Sequence, residues 1–148
     1  RDEAKITLFG LPDRPGVSSK LFGRLADANV NVDMIVQSHA RAAASANMEF
    51  TVGKRDAQRA MEIVREAQNE IGFEEARVDE DVAKVSVIGV GMRSHAGVAK
   101  TMFSALADKG VNIQVISTSE IKISVLIEAA YTELAVRALH AAYGLDQV

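Results

Sequence analysis

Cysteine is absent from the 148 residues, which excludes disulfide bonds, thiolate metal sites and cysteine nucleophiles. Tryptophan is absent too, and aromatic residues make up only 5% of the chain, so few rings are available to stack on bases. The net charge of -3 lacks the basic balance of a nucleic-acid-binding protein. No apolar run approaches the ~20 residues of a membrane span. We expect a mildly acidic cytoplasmic protein that binds neither nucleic acid nor membrane.

The chain also has no arrangement of residues that predicts catalysis. It carries no Walker-type glycine loop, and Gly89-Val90-Gly91 is not followed by the third glycine of a dinucleotide-binding motif. Its three histidines, His39, His95 and His140, are too scattered for metal-ligand spacing. We therefore expect no catalytic residue, no metal site and no cofactor in this chain.

One segment of the chain occurs twice. Residues 10–38 align with residues 91–119 without a gap, at a constant offset of 81 positions. The identical pairs include Gly16/Gly97, Val17/Val98, Phe22/Phe103, Leu25/Leu106, Ala26/Ala107, Asp27/Asp108, Val30/Val111, Asn31/Asn112, Ile35/Ile116 and Ser38/Ser119. A period this long is not that of a solenoid and predicts two copies of one small domain. We place them at residues 1–80 and 81–148.

Each copy has the hydrophobic pattern of a small α+β unit. Ile6–Phe9 and Val85–Val90 are predicted first strands, and apolar residues at helical spacing follow them. Strict alternation over Val30–Gln37 and Val111–Ile116 predicts second strands with one buried face. A third strand and a second helix follow, with Met61, Val64, Ala67 and Ile71 on the helix face in copy one. The order β-α-β-β-α-β predicts two ferredoxin-like units, each an antiparallel sheet with helices on one face.

The two copies differ in how they end. Glu74–Val78 is the predicted last strand of copy one, and the charged Asp79-Glu80-Asp81 is the predicted linker. After Tyr143 copy two has only the five residues Gly-Leu-Asp-Gln-Val, too few for a turn followed by a strand of the usual length, about five or six residues. We expect a second sheet of three strands, or one whose fourth strand comes from chain upstream of Arg1. The start of the chain lacks an initiator methionine, which indicates a processed or excised chain.

The loop before the first helix has the composition of an amino-acid-binding turn. In residues 13–18 (DRPGVS), Pro15 presets the backbone at the helix entrance, and Gly16 allows a ligand to approach closely. Free N–H groups from about Gly16 to Ser18 would bind a carboxylate, and Asp13 an ammonium group. A simpler interpretation is that Asp13 only caps the helix and Pro15-Gly16 only makes the turn. The residues alone leave both interpretations open.

The corresponding loop of copy two keeps Gly97-Val98 but changes the residues before it. Ser94 stands where copy one has Asp13, and Ala96 where copy one has Pro15. If this loop binds an amino acid, its ammonium partner must therefore differ.

Particular strings identify the family that the chain resembles. LPDRPGVSSKLF with LADANVNVDMIVQ resembles an ACT domain, the small amino-acid-sensing module of metabolic enzymes. KVSVIGVGMRSHAGV and ISTSEIKISVLI are similar to the C-terminal regulatory region of bacterial aspartate kinase. The resemblance covers nearly the whole chain and implies a non-catalytic regulatory β-subunit or excised regulatory region. ATP and Mg²⁺ would belong to the absent kinase domain. In this family a strand that precedes the first ACT domain completes the second.

The resemblance also implies effector-binding residues. A threonine-type site matches Asp13, Pro15, Gly16, Ser18 and Gln37 in copy one with Asn112 and Ile113 in copy two. By the internal symmetry, in which Asn31 is the repeat partner of Asn112, a second, lysine-type site would combine Ser94, His95, Gly97 and Val98 with Asn31, Val32 and Asp33, the last as ammonium partner. For both asparagines the simpler alternative is that they satisfy local backbone groups at a strand start.

The implied function is feedback inhibition of aspartate kinase. L-Threonine, L-lysine or both would bind between ACT domains of a homodimer and bias a kinase catalytic domain or α-subunit toward its inhibited arrangement. Two alternative functions would place the chain in other classes of protein. One is a free-standing tandem-ACT regulator with no kinase partner. The other is an RNA-recognition module, which the lack of central-strand aromatics disfavours.

Overall fold

The computed structural model describes residues 2–12, 14–39, 45–88 and 95–143. Its strands and helices are β1 (Asp2–Pro12), α1 (Val17–Asp27), β2 (Val32–His39), β3 (Ser45–Gly53), α2 (Ala57–Glu66), α3 (Gln68–Ile71), β4 (Glu75–Ile88), α4 (His95–Asp108), β5 (Val115–Thr118), β6 (Lys122–Glu128) and α5 (Thr132–Ala142). Short 3₁₀ turns at Lys54–Asp56 and Ala129–Tyr131 lead into α2 and α5. The predicted α+β class is confirmed.

The chain divides into two compact units between Glu80 and Asp81. The first unit is Glu3–Glu80, and the second is the chain from Asp81 onward together with Asp2. In the first unit the strands are hydrogen-bonded in the order β2-β3-β1-β4, and in the second unit in the order β4-β6-β5. The pairs β1–β3, β2–β3, β4–β6 and β5–β6 are antiparallel, as the ferredoxin-like pattern predicts.

The predicted linker is wrong, because Asp79-Glu80-Asp81 lies inside β4. On one side of it Val78 packs on the core of the first unit, and on the other Val82 is buried and pairs with Glu128 of β6. Aspartate is a poor strand former by propensity. Here the strand continues because neighbouring strands satisfy its backbone groups, β1 in the first unit and β6 in the second.

The core of the first unit lies between its sheet and the helices α1, α2 and α3. The predicted face of α1 is confirmed, with Val17, Leu21 and Leu25 buried. The predicted face of the second helix is also buried, but Ala67 separates α2 from α3. Phe22 of α1 meets Phe50 of β3 edge to face, with ring centroids 5.5 Å apart. This aromatic pair fixes the distance between α1 and the sheet beneath it.

A bulge in β1 shifts the strand by one residue near its end. Leu8 pairs with Met48 and Leu11 with Ala46, which leaves one extra residue around Gly10. Gly10 has a φ of 69°, which favours glycine, and a Cβ there would have to displace the Glu74 side chain, whose Cδ would lie 2.6 Å away. Because of the bulge, both Leu8 and Leu11 face the core.

The alternation predicted for the second strand is wrong beyond Val32, because β2 contains a bulge. The ladder pairs Val32 with Val52 and Ile35 with Phe50, so β2 carries one extra residue between these pairs. Ile35 therefore lies on the face of Phe50, toward the helices, and so does Gln37 two residues further on. Val30, Val32, Met34 and Val36 were predicted to share one face of the strand. The bulge after Val32 separates the first two of these residues from the last two. The bulge thus directs Gln37 toward α1.

The core of the second unit repeats this arrangement with α4 and α5. Met102 and Leu106 of α4 and Leu139 of α5 pack on Ile123, Val125 and Ile127 of β6. The second strand is shorter than predicted, since β5 begins at Val115 and not at Val111. Val111 is buried as predicted, although it lies outside the strand. Its N–H donates to Leu106 O at 2.9 Å in the turn that ends α4.

Candidate functional site

The loop before α1 is an open turn around Gly16. Gly16 has a φ of 91° and precedes the first residue of the helix, and its carbonyl oxygen accepts the Lys20 N–H at 3.1 Å. A Cβ at this position would meet no atom within 4 Å, so the conformation and not crowding requires glycine. Pro15 is exposed beside it. Asp13, the predicted ammonium partner, lies outside the described residues.

Two of the predicted site residues, Ser18 and Gln37, are hydrogen-bonded to each other. Ser18 Oγ, in the first turn of α1, donates to Gln37 Oε1 at 3.4 Å. At this length the bond is weak. Ser18 is half-buried and Gln37 exposed, so both polar ends remain accessible. A hydroxyl and an amide therefore stand next to the open turn at Gly16.

A groove of about 440 Å³ lies in the first unit where α1 ends and β2 begins. It is lined by Phe22, Ala26, Asn29, Val30, Asn31, Val32 and Ile35. Asn29 turns the chain with a φ of 60°, the left-handed conformation that asparagine tolerates. The predicted residues Asn31 and Val32 belong to this groove, and the exposed Asp33 follows them in β2.

The residues that line this groove recur in the second unit at the offset of 81 positions. Their counterparts are Phe103, Ala107, Gly110, Val111, Asn112, Ile113 and Ile116, and five of the seven pairs are identical. The turn is repeated as well, because Gly110 has a φ of 72° where Asn29 has 60°. The predicted residues Asn112 and Ile113 thus occupy in the second unit the positions of Asn31 and Val32 in the first. Asn112 is exposed, and Ile113 packs partly on the core.

The first turn of α4 contains the described part of the second predicted loop. Ser94 and the side chain of His95 lie outside the described residues, whereas Gly97 is exposed and Val98 is half-buried. Gly97 O accepts Thr101 Oγ1–H at 3.1 Å, and Val98 O accepts the Tyr143 hydroxyl at 2.7 Å. Burial raises the pKa of Tyr143 above its ordinary value, and a hydrogen bond with the Met102 backbone acts in the opposite direction. The tyrosine is therefore protonated near neutral pH and donates to Val98.

Sequence reasoning missed two kinds of residue. Phe22, Ala26 and Ile35 line the groove but were not predicted as site residues, although all three are identical in the repeat. Their identity at the 81-residue offset is the signal that marks them. Tyr143 carries no such signal, because it lies beyond the repeated segment.

Within the described ranges, no group of three or more histidine, aspartate or glutamate side chains could hold a metal ion. In the same part of the chain, none of the helices is both long and apolar enough to cross a membrane.

The chain matches a family model for the ACT domain at residues 6–68 and again at residues 85–143. The two matched segments lie on either side of the division between the units, one within residues 1–80 and the other within residues 81–148. Together they account for most of the chain.

The chain is similar to aspartate kinases and their regulatory subunits. It is 56% identical to an aspartokinase of Pseudomonas aeruginosa over 146 residues, which are 99% of this chain and 35% of that protein. It thus spans about one third of the length of the curated relatives it matches. A regulatory subunit of aspartate kinase from Thermus thermophilus, solved ligand-free, is 46% identical, with a TM-score of 0.88 over 96% of this chain and 93% of that one.

A structure of aspartokinase alpha and beta subunits contains a chain that is 48% identical, with a TM-score of 0.89 over 97% of this chain and 93% of that one. Sequence identity, coverage of the regulatory chains and the two matched domains agree. The chain belongs to the ACT domain family and, within it, to the regulatory regions of aspartate kinase.

Proposed function

We propose that this chain is an amino-acid sensor that exerts feedback inhibition on an aspartate kinase. The observation that carries the proposal is the open turn at Gly16 with the Ser18–Gln37 pair beside it, in a chain of the aspartate kinase regulatory family. The proposed effectors are the end products L-threonine and L-lysine.

The first site would bind L-threonine through complementary polar groups. The N–H groups at the start of α1 suit a carboxylate, because a helix N-terminus carries unpaired donors and a partial positive charge. The Ser18 hydroxyl and Gln37 amide suit the threonine side-chain hydroxyl. Asp13 is proposed as the ammonium partner, and Asn112 and Ile113 as the further wall of the site.

The second site would bind L-lysine at the loop that enters α4. Its residues are Ser94, His95, Gly97 and Val98 with Asn31, Val32 and Asp33, and Asp33 is the proposed ammonium partner. Escherichia coli aspartokinase III has been solved in complex with lysine and aspartate, and it shares the fold of this chain at a TM-score of 0.71 and 24% identity. Lysine is therefore the second ligand to test.

Regulation would follow from a difference in effector affinity between two arrangements of the regulatory dimer. An effector shifts an equilibrium only as far as it binds one arrangement more tightly than the other. We propose that the sites couple to the kinase catalytic domain or α-subunit in the cytoplasm, where ATP and Mg²⁺ would bind to that partner and not to this chain.

A homodimer through pairing of ACT units is part of the proposal. β2 and β5 are the terminal strands of the sheet order in the described part of the chain. Each carries an exposed isoleucine at the repeated position, Ile35 at 51% and Ile116 at 46% exposure. An apolar side chain on a terminal strand favours association with a second copy.

A thermal melt with single amino acids tests the proposed function. At a hundredfold excess over Kd, one ligand bound to the folded state adds about 2.7 kcal/mol. For a chain of this size we expect L-threonine to raise the midpoint by roughly 5–10 °C. L-Lysine should give a further increase when added with threonine, whereas L-leucine should give none. If leucine raised the midpoint as much as threonine, or if no amino acid changed it, the proposal would be wrong.

A further inference from the structure

The hydroxyl of Tyr143 lies against the first turn of α4. Tyr143 directly follows α5, and its N–H donates to Leu139 O at 3.0 Å, which extends the hydrogen bonding of that helix by one residue. Its hydroxyl donates to Val98 O at 2.7 Å, across 45 positions of sequence. The ring packs partly on the core of the second unit. The end of α5 is thereby attached to the beginning of α4.

The attachment is made at the backbone of α4. Val98 lies in the first turn of α4, and the tyrosine hydroxyl binds its backbone carbonyl oxygen and not a side chain. Thr101 Oγ1 binds the neighbouring Gly97 O at 3.1 Å. Two successive carbonyls of this turn thus accept side-chain hydroxyls. The turn is held in place by contacts that do not depend on the loop before it.

The first unit holds its corresponding helix differently. In the first unit, Gln68 occupies the position that corresponds to Tyr143. The two units are matched here through the 3₁₀ turns before α2 and α5, Lys54–Asp56 and Ala129–Tyr131, which lie 75 positions apart. The Gln68 amide donates to Phe73 O and Glu74 O, both at 3.2 Å. These bonds are local, whereas the Tyr143 hydroxyl binds a helix 45 positions away in sequence. The two predicted loops are therefore supported by different contacts.

We propose that Tyr143 is a positioning residue for the second effector site. Its hydroxyl fixes the first turn of α4, so that Gly97 and Val98 present their backbone to the ligand in one orientation. This inference rests on the proposed function, because it assumes that the second loop binds an amino acid. It adds that the two sites can be weakened separately, since the tyrosine hydroxyl binds the first turn of α4.

The test is Tyr143→Phe, which removes one hydroxyl and keeps the ring. Calorimetric titration with L-lysine should show an affinity about three- to tenfold weaker, because the ligand must then order a turn that the hydroxyl no longer holds, and one hydrogen bond sets the upper limit of that cost. The affinity for L-threonine should stay within about twofold of the wild type. Tyr131→Phe is the matched control, since Tyr131 belongs to the same unit and is 40% exposed, and it should change neither affinity. Equal weakening of both ligands, or of neither, would overturn the assignment.

Amide hydrogen exchange separates this proposal from the proposed function. If the wild type binds no lysine, the second effector site is wrong, and exchange in the first turn of α4 still decides whether the Tyr143 hydroxyl holds that turn. Tyr143→Phe should then speed exchange at Met102 and its neighbours, with no change in α1, while Tyr131→Phe leaves both helices as in the wild type. Unchanged exchange at Met102 in Tyr143→Phe would show that the hydroxyl does not hold the turn.

Discussion

Replacing Phe50 by alanine is expected to lower the free energy of unfolding of the first unit by about 3–5 kcal/mol. Phe50 is 1% exposed in the middle of β3, and its ring meets that of Phe22 edge to face. The substitution removes buried apolar surface and leaves a cavity beneath α1. Because a small domain is stable by only about 5–15 kcal/mol, the variant loses a large part of its stability.

Urea denaturation followed by circular dichroism measures this loss. The matched control is Ile35→Ala, because Ile35 pairs with Phe50 on the same face of the sheet but is 51% exposed. It should cost no more than about 1 kcal/mol. If the two variants lost equal stability, Phe50 would not be a principal residue of the core.

Gly16→Ala is expected to weaken L-threonine binding by about tenfold or more. The φ of 91° lies in a region where a side chain costs about 1–2 kcal/mol, so the turn should relax toward negative φ. That relaxation moves the N–H groups at the start of α1, which are the proposed carboxylate donors. Calorimetric titration of threonine into the variant gives the change in affinity.

Gly23→Ala is the control for Gly16→Ala. Gly23 lies within α1, and a Cβ there would meet no atom within 4 Å. Alanine in a helix is favoured over glycine by about 1 kcal/mol, so this variant should be slightly more stable and should bind threonine as the wild type does. If Gly16→Ala behaved like Gly23→Ala, the left-handed turn would have no part in binding.

The internal repeat made most of the fold predictable. One alignment at a constant offset predicted a helix in each copy, and the structure confirms both, although α4 begins at His95, three residues before the counterpart of Val17. The same alignment marks the groove, since Phe22, Asn31 and Ile35 are identical in the second copy. A repeat is informative because two copies constrain the same packing and the same turns.

Features that depend on hydrogen bonding between strands were not predictable from the pattern. The bulge near Gly10 and the one after Val32 each insert a single residue, and a one-residue insertion exchanges the faces of all later side chains. The course of β4 through Asp79-Glu80-Asp81 likewise depends on its neighbouring strands and not on strand propensity.

The candidate site was predictable only where it lies in the repeat or in a motif. Ser18 and Gln37 were both predicted, and their contact at 3.4 Å follows from the bulge that turns Gln37 toward α1. Tyr143 could not be predicted, because its role depends on α5 ending beside the first turn of α4. Contacts between elements that are distant in sequence are set by packing, which no local pattern encodes.

The most direct test of the central claim is a calorimetric comparison of L-threonine with L-valine, which has a methyl group in place of the hydroxyl. If Ser18 and Gln37 bind the threonine hydroxyl, valine leaves these polar groups without a ligand partner and loses a hydrogen bond. We predict that threonine binds and that valine binds about tenfold more weakly or worse. Equal affinity for the two amino acids, or no binding of threonine, would contradict the proposal that this chain senses threonine.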